Sequence, residues 1–292
     1  MFTKLTFADA NASYENAEFV LFGAPFDGTS CFRSGSRGAP LAIRKASYNF
    51  ELYYPEYDID LEDISFCDLG DIDVSTLVDE TLASIQSEMK RIIGDGKTPI
   101  MIGGEHSLTC ACVRAFSDVN VVVLDAHLDL RDEYAGTRQS HACVSRRILD
   151  RVGVESYASL GIRSGAREEY DFAKQNEVRF YSATQVQSEG VVNITQDLIK
   201  YLGKGKIYLS IDMDVIDPAY APAVGTPEPF GLIPADVRYI IQALAPRVVG
   251  FDLVEISPDY DHGQTSLLGA KLIREFIAVK GSLENGQTTT TG

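Results

Sequence analysis

The stretch Val121–Asp129 reads Val-Val-Val-Leu-Asp-Ala-His-Leu-Asp, in which an unbroken apolar run leads directly into acidic and imidazole side chains. Runs of this kind are typical of strands that are buried on both faces of a parallel sheet. Two further runs end in the same way. Pro99–Ile102 leads into Gly103–Ser107, and Ile207–Ile211 leads into Asp212–Asp214. Because ligands of open α/β sheets gather beyond the carboxyl ends of the strands, these polar residues are expected to meet at one edge of a sheet.

Strand and helix signals alternate along the rest of the chain, which predicts an α/β fold with a mainly parallel sheet and helices on both of its faces. One helix is expected over residues 76–93, with Gly94 as its C-cap. After a strand at 178–181, the next helix is expected at 191–202, with no element between them. No repeat or linker divides the chain.

Composition excludes several classes of protein. The chain of 292 residues carries a formal net charge of −16, which argues against nucleic acid as a partner and favours a cationic small molecule. No apolar stretch is long enough for a membrane span, and the N-terminus lacks the features of a secretory signal. Five cysteines without zinc-site spacing indicate reduced thiols and a cytoplasmic location. We expect residues 1–284 to form a single domain, followed by a disordered Gly/Thr-rich tail over 285–292.

Six side chains at the three strand ends are candidate metal ligands. Crowded carboxylates repel one another unless cations neutralise them, and carboxylates with a few imidazoles suit Mn²⁺, with Fe²⁺ or Zn²⁺ as alternatives. A lone aspartate at a strand end is more often a turn or helix cap, but three of the four histidines lie beside such ends. The set predicts a metal centre, with two ions, in a hydrolase. Its members are His106, Asp125, His127, Asp129, Asp212 and Asp214.

Three motifs resemble the signatures of the ureohydrolases, the family that includes arginase, agmatinase, guanidinobutyrase and formiminoglutamase. They are Gly103–Ser107, Asp125–Asp129 and Ser210–Pro218, and the likeness runs from about Gly23 to Phe276. It is strongest to the agmatinases. The resemblance implies a three-layer α/β/α fold, two Mn²⁺ per chain, a small guanidino substrate and a homo-oligomer, either a trimer or a hexamer.

The resemblance also implies how the ligands are shared between the two ions. Asp125 and Asp212 are expected to bridge them. One ion would be held by His106, Asp125, Asp129 and Asp212. The other would be held by His127, Asp125, Asp212 and Asp214.

Two residues outside the ligand set match functional positions of the family. Glu255 lies where the family has a glutamate that grips the guanidinium, and a carboxylate binds such a planar cation in a bidentate, directional way. His141 matches the family's proton-shuttle histidine, which also contacts the substrate. Asp129 is expected to help stabilise the tetrahedral intermediate. The implied reaction is hydrolysis of agmatine to putrescine and urea.

The chain departs from the arginase pattern in three places. Position 105 is Glu where many arginases have Asp. Arg131 and the segment Ser164–Ala166 replace residues with which arginase reads the amino-acid head of arginine. These departures weaken the case for arginine as the substrate. Candidate partners for the substrate's amine, each otherwise a solvated surface residue, are Asp132, Glu133, Glu168 and Glu169.

Several alternatives stay open at this point. The substrate is agmatine or another guanidino compound, such as aminopropylagmatine, guanidinobutyrate or arginine. A deacetylase-like hydrolase of related fold would need a single zinc ion. A metal-stabilised binding protein without catalysis would not need His141 or Glu255.

Overall fold

The computed structural model describes residues 5–284, and within that range ten strands alternate with nine α-helices. The strands are β1 (Phe19–Ala24), β2 (Tyr53–Tyr54), β3 (Ile59–Asp60), β4 (Phe66–Asp71), β5 (Thr98–Gly103), β6 (Asn120–Leu124), β7 (Tyr157–Ile162), β8 (Arg179–Ser182), β9 (Ile207–Asp212) and β10 (Val248–Val254). The helices are α1 (Ala39–Ser47), α2 (Val78–Gly94), α3 (Thr109–Arg114), α4 (Val144–Val152), α5 (Arg167–Gln175), α6 (Ala183–Glu189), α7 (Val191–Tyr201), α8 (Pro234–Leu244) and α9 (Gln264–Glu284).

Eight of the described strands form one sheet in the order β4-β1-β5-β10-β9-β6-β7-β8, and all neighbouring strands in it are parallel. This confirms the predicted α/β fold. The short strands β2 and β3 form a separate antiparallel pair that the sequence pattern did not predict.

Helices cover both faces of the sheet, and this explains the unbroken apolar runs. Successive residues of β6 enter different cores, with Val121 and Val123 on one side and Val122 and Leu124 on the other. Buried residues of α2 to α5 pack into the first core, and those of α1 and α6 to α9 pack into the second. Both faces of a strand must therefore be apolar, so the chain becomes polar only where a strand ends.

The four central strands bring the predicted ligand segments to one level. In the strand register, Leu124 of β6 pairs with Ile211 of β9, and Ile211 pairs with Leu253 of β10. Leu253 in turn pairs with Ile102 of β5. The residues that follow these four positions consequently lie side by side along the carboxyl edge of the sheet.

The boundary predicted at Gly94 was wrong. Gly94 is the last helical residue of α2, and the C-cap is Asp95. The left-handed residue that reverses the chain is Gly96, with φ of 75°. A glycine only two positions further along takes the role that was assigned to Gly94, because the positive φ is required after the final helical turn.

Helix α6 was missed by the sequence analysis. It has seven residues, too few to show helical periodicity, and its end at Gly190 separates it from α7. Its N-terminus carried a readable signal nonetheless. Ser182 Oγ accepts from the Gln185 amide at 3.1 Å, and Gln185 Oε1 accepts from the Ser182 amide at 2.9 Å. This capping box is visible in the sequence as Ser-x-x-Gln.

Three further observations bear on the predictions from composition. No helix within residues 5–284 is long and apolar enough to cross a bilayer. The cysteines are all free, and Cys31 alone among them is exposed in the described part of the chain. The predicted tail over 285–292 lies outside the described residues.

A cluster of charged side chains links α1 to the edge strand β4, and we expect it to contribute to the free energy of unfolding. Arg44 Nε and Nη2 donate to Asp68 at 2.7 and 3.0 Å, and Nη1 donates to Asp71 at 2.5 Å. Arg44→Met should lower the free energy of unfolding by about 3–5 kcal/mol, because the carboxylate of Asp68 would stay buried without its cation. The measurement is urea unfolding followed by circular dichroism.

Two controls accompany this prediction. Arg91→Met removes the exposed ion pair with Glu88 and should cost no more than about 1 kcal/mol. The double variant Arg44→Met/Asp68→Leu should recover part of the loss, since it removes the unpaired charge. Equal losses for Arg44→Met and Arg91→Met would contradict the importance of the buried cluster.

Candidate metal centre

All six predicted ligands lie together at the carboxyl edge of the central strands. His106 opens a 3₁₀ turn after β5. Asp125 directly follows β6, and His127 and Asp129 come next along the same loop. Asp212 is the last residue of β9, and Asp214 lies in the 3₁₀ turn that follows it.

Gly104 permits the turn that delivers His106. A Cβ at this position would lie 2.0 Å from the backbone oxygen of Phe26, in the loop after β1. The amide of Glu105 also donates to that oxygen at 2.9 Å. The two loops therefore touch through backbone alone, which only glycine allows.

The first ligand group surrounds the imidazole of His106. Its Nδ1 lies 3.1 Å from Asp125 Oδ2, 3.2 Å from Asp212 Oδ2 and 3.6 Å from Asp129 Oδ2. Adjacent ligands of an octahedral cation with bonds of about 2.1 Å are separated by about 3 Å. The spacing in this group fits such an ion.

The second group is built around His127 and shares a residue with the first. His127 Nδ1 lies 2.9 Å from Asp214 Oδ2 and 3.6 Å from Asp125 Oδ1. Asp125 thus turns one oxygen toward each histidine, and it belongs to both groups of residues that could hold an ion. This is the arrangement expected of a bridging carboxylate. Asp212 occurs only in the first group, so its bridging role stays a prediction.

Unpartnered atoms at the centre indicate that a cation fits there. His106 Nδ1 and Asp125 Oδ2 are buried, face each other, and have no hydrogen-bond partner in the described structure. Leaving such groups unpaired is costly, whereas one cation would satisfy both. Imidazole nitrogen and carboxylate oxygen are donors that suit Mn²⁺.

The electrostatics of the cluster point the same way. Burial disfavours ionisation of Asp125, but the nearby imidazoles of His106 and His127 outweigh this effect and lower the pKa of Asp125. Burial and then the charge of Asp125 raise the pKa of Asp129 to about 7. The pKa of His127 is raised despite burial, chiefly by the charge of Asp214. These shifts show that the clustered carboxylates favour positive charge beside them, which divalent cations would supply.

Both ligand histidines have outer partners that the sequence analysis missed. His106 Nε2 lies 3.2 Å from Ser210 Oγ, which donates to Asp252 Oδ1 at 2.6 Å. His127 Nε2 lies 3.8 Å from Glu228 Oε1. A hydrogen bond such as that between His106 and Ser210 orients a metal-binding imidazole and fixes its tautomer. The separation between His127 and Glu228 is too long for a hydrogen bond. Ser210 and Asp252 carried a signal, since each is a polar residue inside an otherwise apolar strand.

Glu255 follows β10 and lies beside the first ligand group. Its Oε1 accepts from the His106 amide at 2.7 Å, which leaves Oε2 free of that contact. Burial and the charge of Glu105 raise the pKa of Glu255 to about 8. A cationic guanidinium beside Glu255 would offset burial and the charge of Glu105 and would favour the ionised carboxylate, so this position favours binding of a cation.

Two of the predicted functional residues have strained backbones. Asp129 and Glu255 adopt φ of 50° and 67°, in the left-handed region that non-glycine residues seldom occupy. Such conformations persist where the surrounding structure imposes them, and they cluster at functional sites.

His141 opens a 3₁₀ turn over His141–Cys143 that Ser140 caps. Burial, followed by positive charge on His106 and His127, lowers the pKa of His141 to about 4. The imidazole is therefore neutral near pH 7 and able to accept a proton.

Five of the six predicted ligands, all except Asp125, line one cavity together with Glu255 and His141. Its volume is about 330 Å³, a size typical of small-molecule sites. Arg131 and Glu169 also line it. Glu169 is buried, and its oxygens accept from the amides of Leu130 and Ala166 and from Arg131 Nε.

Of the acidic residues considered as amine partners, only Glu169 reaches the cavity wall, and it is already engaged. Asp132 pairs with Arg138 and Arg147. Glu133 and Glu168 are exposed. None of the four is thus free inside the cavity to bind the substrate's amine.

A parallel sheet with two His/Asp ligand groups at its carboxyl edge is an arrangement suited to metal-dependent hydrolysis. A family model described as the Arginase family matches residues 17–278. An agmatinase of Pyrococcus horikoshii is 38% identical over 91% of this chain and 93% of its own. An N(1)-aminopropylagmatine ureohydrolase of Thermococcus kodakarensis is 38% identical over 89% of each chain.

A solved structure agrees with these relatives. The agmatine ureohydrolase of Thermoplasma volcanium superposes with a TM-score of 0.95 and is 45% identical, covering 99% of this chain and 98% of its own. The chain belongs to the Arginase family and is a metal-dependent ureohydrolase. This confirms the resemblance seen in the three sequence motifs. It also disfavours the single-zinc deacetylase-like enzyme and the non-catalytic binding protein.

Proposed function

We propose that this ureohydrolase is an agmatinase, which hydrolyses agmatine to putrescine and urea with two Mn²⁺ per chain. The observation that carries the proposal is the sharing of Asp125 between two ligand groups, beside a buried carboxylate on Glu255. Relatives that are named for agmatine or aminopropylagmatine cover about nine tenths of the chain and support the substrate class.

The metal ligands, Glu255 and Asp129 have separate roles in the proposed reaction. Two divalent cations, held by the six ligands, would lower the pKa of water so that it attacks as hydroxide near neutral pH. Glu255 binds the guanidinium through Oε2 and orients its central carbon. Asp129, beside the ligand group of His106, accepts hydrogen bonds from the tetrahedral intermediate.

Proton transfer completes the reaction. Guanidinium and water yield urea and an alkylammonium ion, so the charge is conserved and both protons of the water must reach the departing amine nitrogen. His141 accepts a proton within the cavity and returns it to that nitrogen as the C–N bond breaks. Its neutral state near pH 7 suits this exchange.

Arg131 favours a second candidate substrate. Its side chain lies over the ring of Tyr134 and bonds to Glu169 only through Nε, so its terminal nitrogens have no hydrogen-bond partner among residues 5–284. A cation at the cavity wall would attract a substrate that carries a carboxylate at its far end. Guanidinobutyrate has this chemistry.

A substrate panel tests the proposal. Protein loaded with Mn²⁺ should release urea fastest from agmatine when agmatine, aminopropylagmatine, guanidinobutyrate and arginine are compared by kcat/KM. Elemental analysis should find two Mn²⁺ per chain, and removal of the metal should abolish urea release. Faster turnover of arginine or guanidinobutyrate would refute agmatine as the substrate.

The remaining expectations are part of the same proposal. We propose a homo-oligomer, a trimer or a hexamer, located in the cytoplasm. Light scattering coupled to size-exclusion chromatography measures the assembly directly, and a monomer would contradict it.

A further inference from the structure

A threonine in the loop after β1 contacts the imidazole of His141, although 112 positions separate the two residues. Thr29 Oγ1 accepts from the backbone amide of His141 at 3.0 Å and lies 3.2 Å from its ring Nδ1. Neither the sequence motifs nor the roles described above include Thr29.

Behind Thr29 lies a buried carboxylate. Glu105 has no exposed surface, and it accepts from the Thr29 amide at 2.7 Å and from the Thr29 hydroxyl at 2.6 Å. The Ser107 hydroxyl also donates to it, at 2.5 Å. The carboxylate of Glu105 therefore accepts three hydrogen bonds. One of them uses the only proton of the Thr29 hydroxyl.

The hydrogen bond from the Thr29 hydroxyl to Glu105 determines which ring nitrogen of His141 is protonated. With its proton directed to Glu105, Thr29 Oγ1 can only accept from His141. A neutral imidazole has one protonated nitrogen, and Nδ1 is the one that faces Thr29. Nδ1 therefore carries the proton, and Nε2 keeps the lone pair.

Ser140 does not change this result. Its Oγ lies 3.3 Å from His141 Nδ1 and accepts from the Ala142 amide. If Nδ1 lacked its proton, Ser140 could donate to it, but the lone pairs of Nδ1 and of Thr29 Oγ1 would then oppose each other. A shared Nδ1 proton satisfies both oxygens.

We propose that Thr29, held by Glu105, is a positioning residue that fixes the tautomer and orientation of His141 so that Nε2 exchanges protons with the reacting groups. The inference rests on the proposed role of His141 as proton carrier. It assigns a task to Glu105, which bonds to Thr29 through both of its oxygens. The chain thereby has a Glu–Thr–His relay that joins the loops after β1 and β5 to the turn at His141.

The direct test is the tautomer itself. Nitrogen NMR on the 292-residue chain labelled in histidine, with Zn²⁺ in place of paramagnetic Mn²⁺, distinguishes a protonated Nδ1 from a protonated Nε2. His141→Asn assigns the signal. We expect the Nδ1–H tautomer in the wild type and a mixture of tautomers in Thr29→Val, which has the same shape without the hydroxyl. Nε2–H in the wild type, or an unchanged tautomer in Thr29→Val, would overturn the proposal.

Kinetics provide the second measurement. Thr29→Val should lower kcat about 10- to 100-fold, while KM and Mn²⁺ content stay the same. The loss should not exceed the ~10²–10⁴-fold that a positioned acid–base group contributes, because the imidazole itself is still present. Thr29→Ser should restore both kcat and the tautomer.

The matched control is Ser140→Ala, which removes the other oxygen near Nδ1 without touching Glu105. It should keep the Nδ1–H tautomer. If Thr29→Val does not fold, the wild-type tautomer and Thr29→Ala still decide the question. If no guanidino compound releases urea, the proposed function fails, but the NMR result stands on its own.

Discussion

Asp125→Asn should remove both metal ions and nearly all activity in one step. Asp125 is the residue common to the two ligand groups, with Oδ2 facing His106 and Oδ1 facing His127. The substitution preserves shape but replaces one anionic oxygen with a nitrogen that binds cations poorly. Loss of an outer partner of a ligand already costs about 10–100-fold in affinity or activity, so loss of the shared ligand should cost about 10³-fold or more.

Metal content and stability report this result independently of activity. Elemental analysis of Asp125→Asn should fall well below two Mn²⁺ per chain. Added Mn²⁺ should raise the melting temperature of the wild type and leave that of the variant unchanged, because only bound ligand stabilises the folded state. Asp118→Asn, at an exposed site, is the matched control. Full metal content in Asp125→Asn would contradict the shared ligand.

Glu255→Gln should have the opposite signature, retaining two Mn²⁺ while losing catalysis. The amide oxygen can still accept from the His106 amide, so the ligand group should keep its geometry. The charge that pairs with guanidinium is lost, and breaking a buried charge pair costs about 2–5 kcal/mol. This corresponds to a fall in kcat/KM of about 30- to 5,000-fold.

The comparison of the two variants is the decisive measurement. Metal content should separate Asp125→Asn from Glu255→Gln, while activity should be low in both. Glu168→Gln, an exposed acid on α5, serves as the control and should behave like the wild type. Equal loss of metal from both site variants would show that Glu255 supports the metal centre rather than the substrate.

The predicted ligands and the parallel sheet could be read from local patterns. Strands such as β6 and β9 are buried on both faces, so their apolar runs stop where the candidate metal ligands begin. Short elements were not predicted, because local patterns need several turns to be recognised and α6 has too few residues to show helical periodicity. Polar residues inside buried strands, such as Ser210 and Asp252, can be recognised in the sequence. The sequence does not show that these two form a hydrogen bond with each other.

Which residues are candidate metal ligands could be predicted from the sequence alone, because histidine and aspartate clustered at the ends of buried strands are costly to bury without a cation. How they are shared was decided only by the tertiary structure. Strand order places β10 between β5 and β9, and that brings Glu255 to the amide of His106, 149 positions away. The contact of Thr29 with His141 arises in the same way. Local patterns do not encode strand order, since neighbours in a sheet are chosen by packing across the whole core.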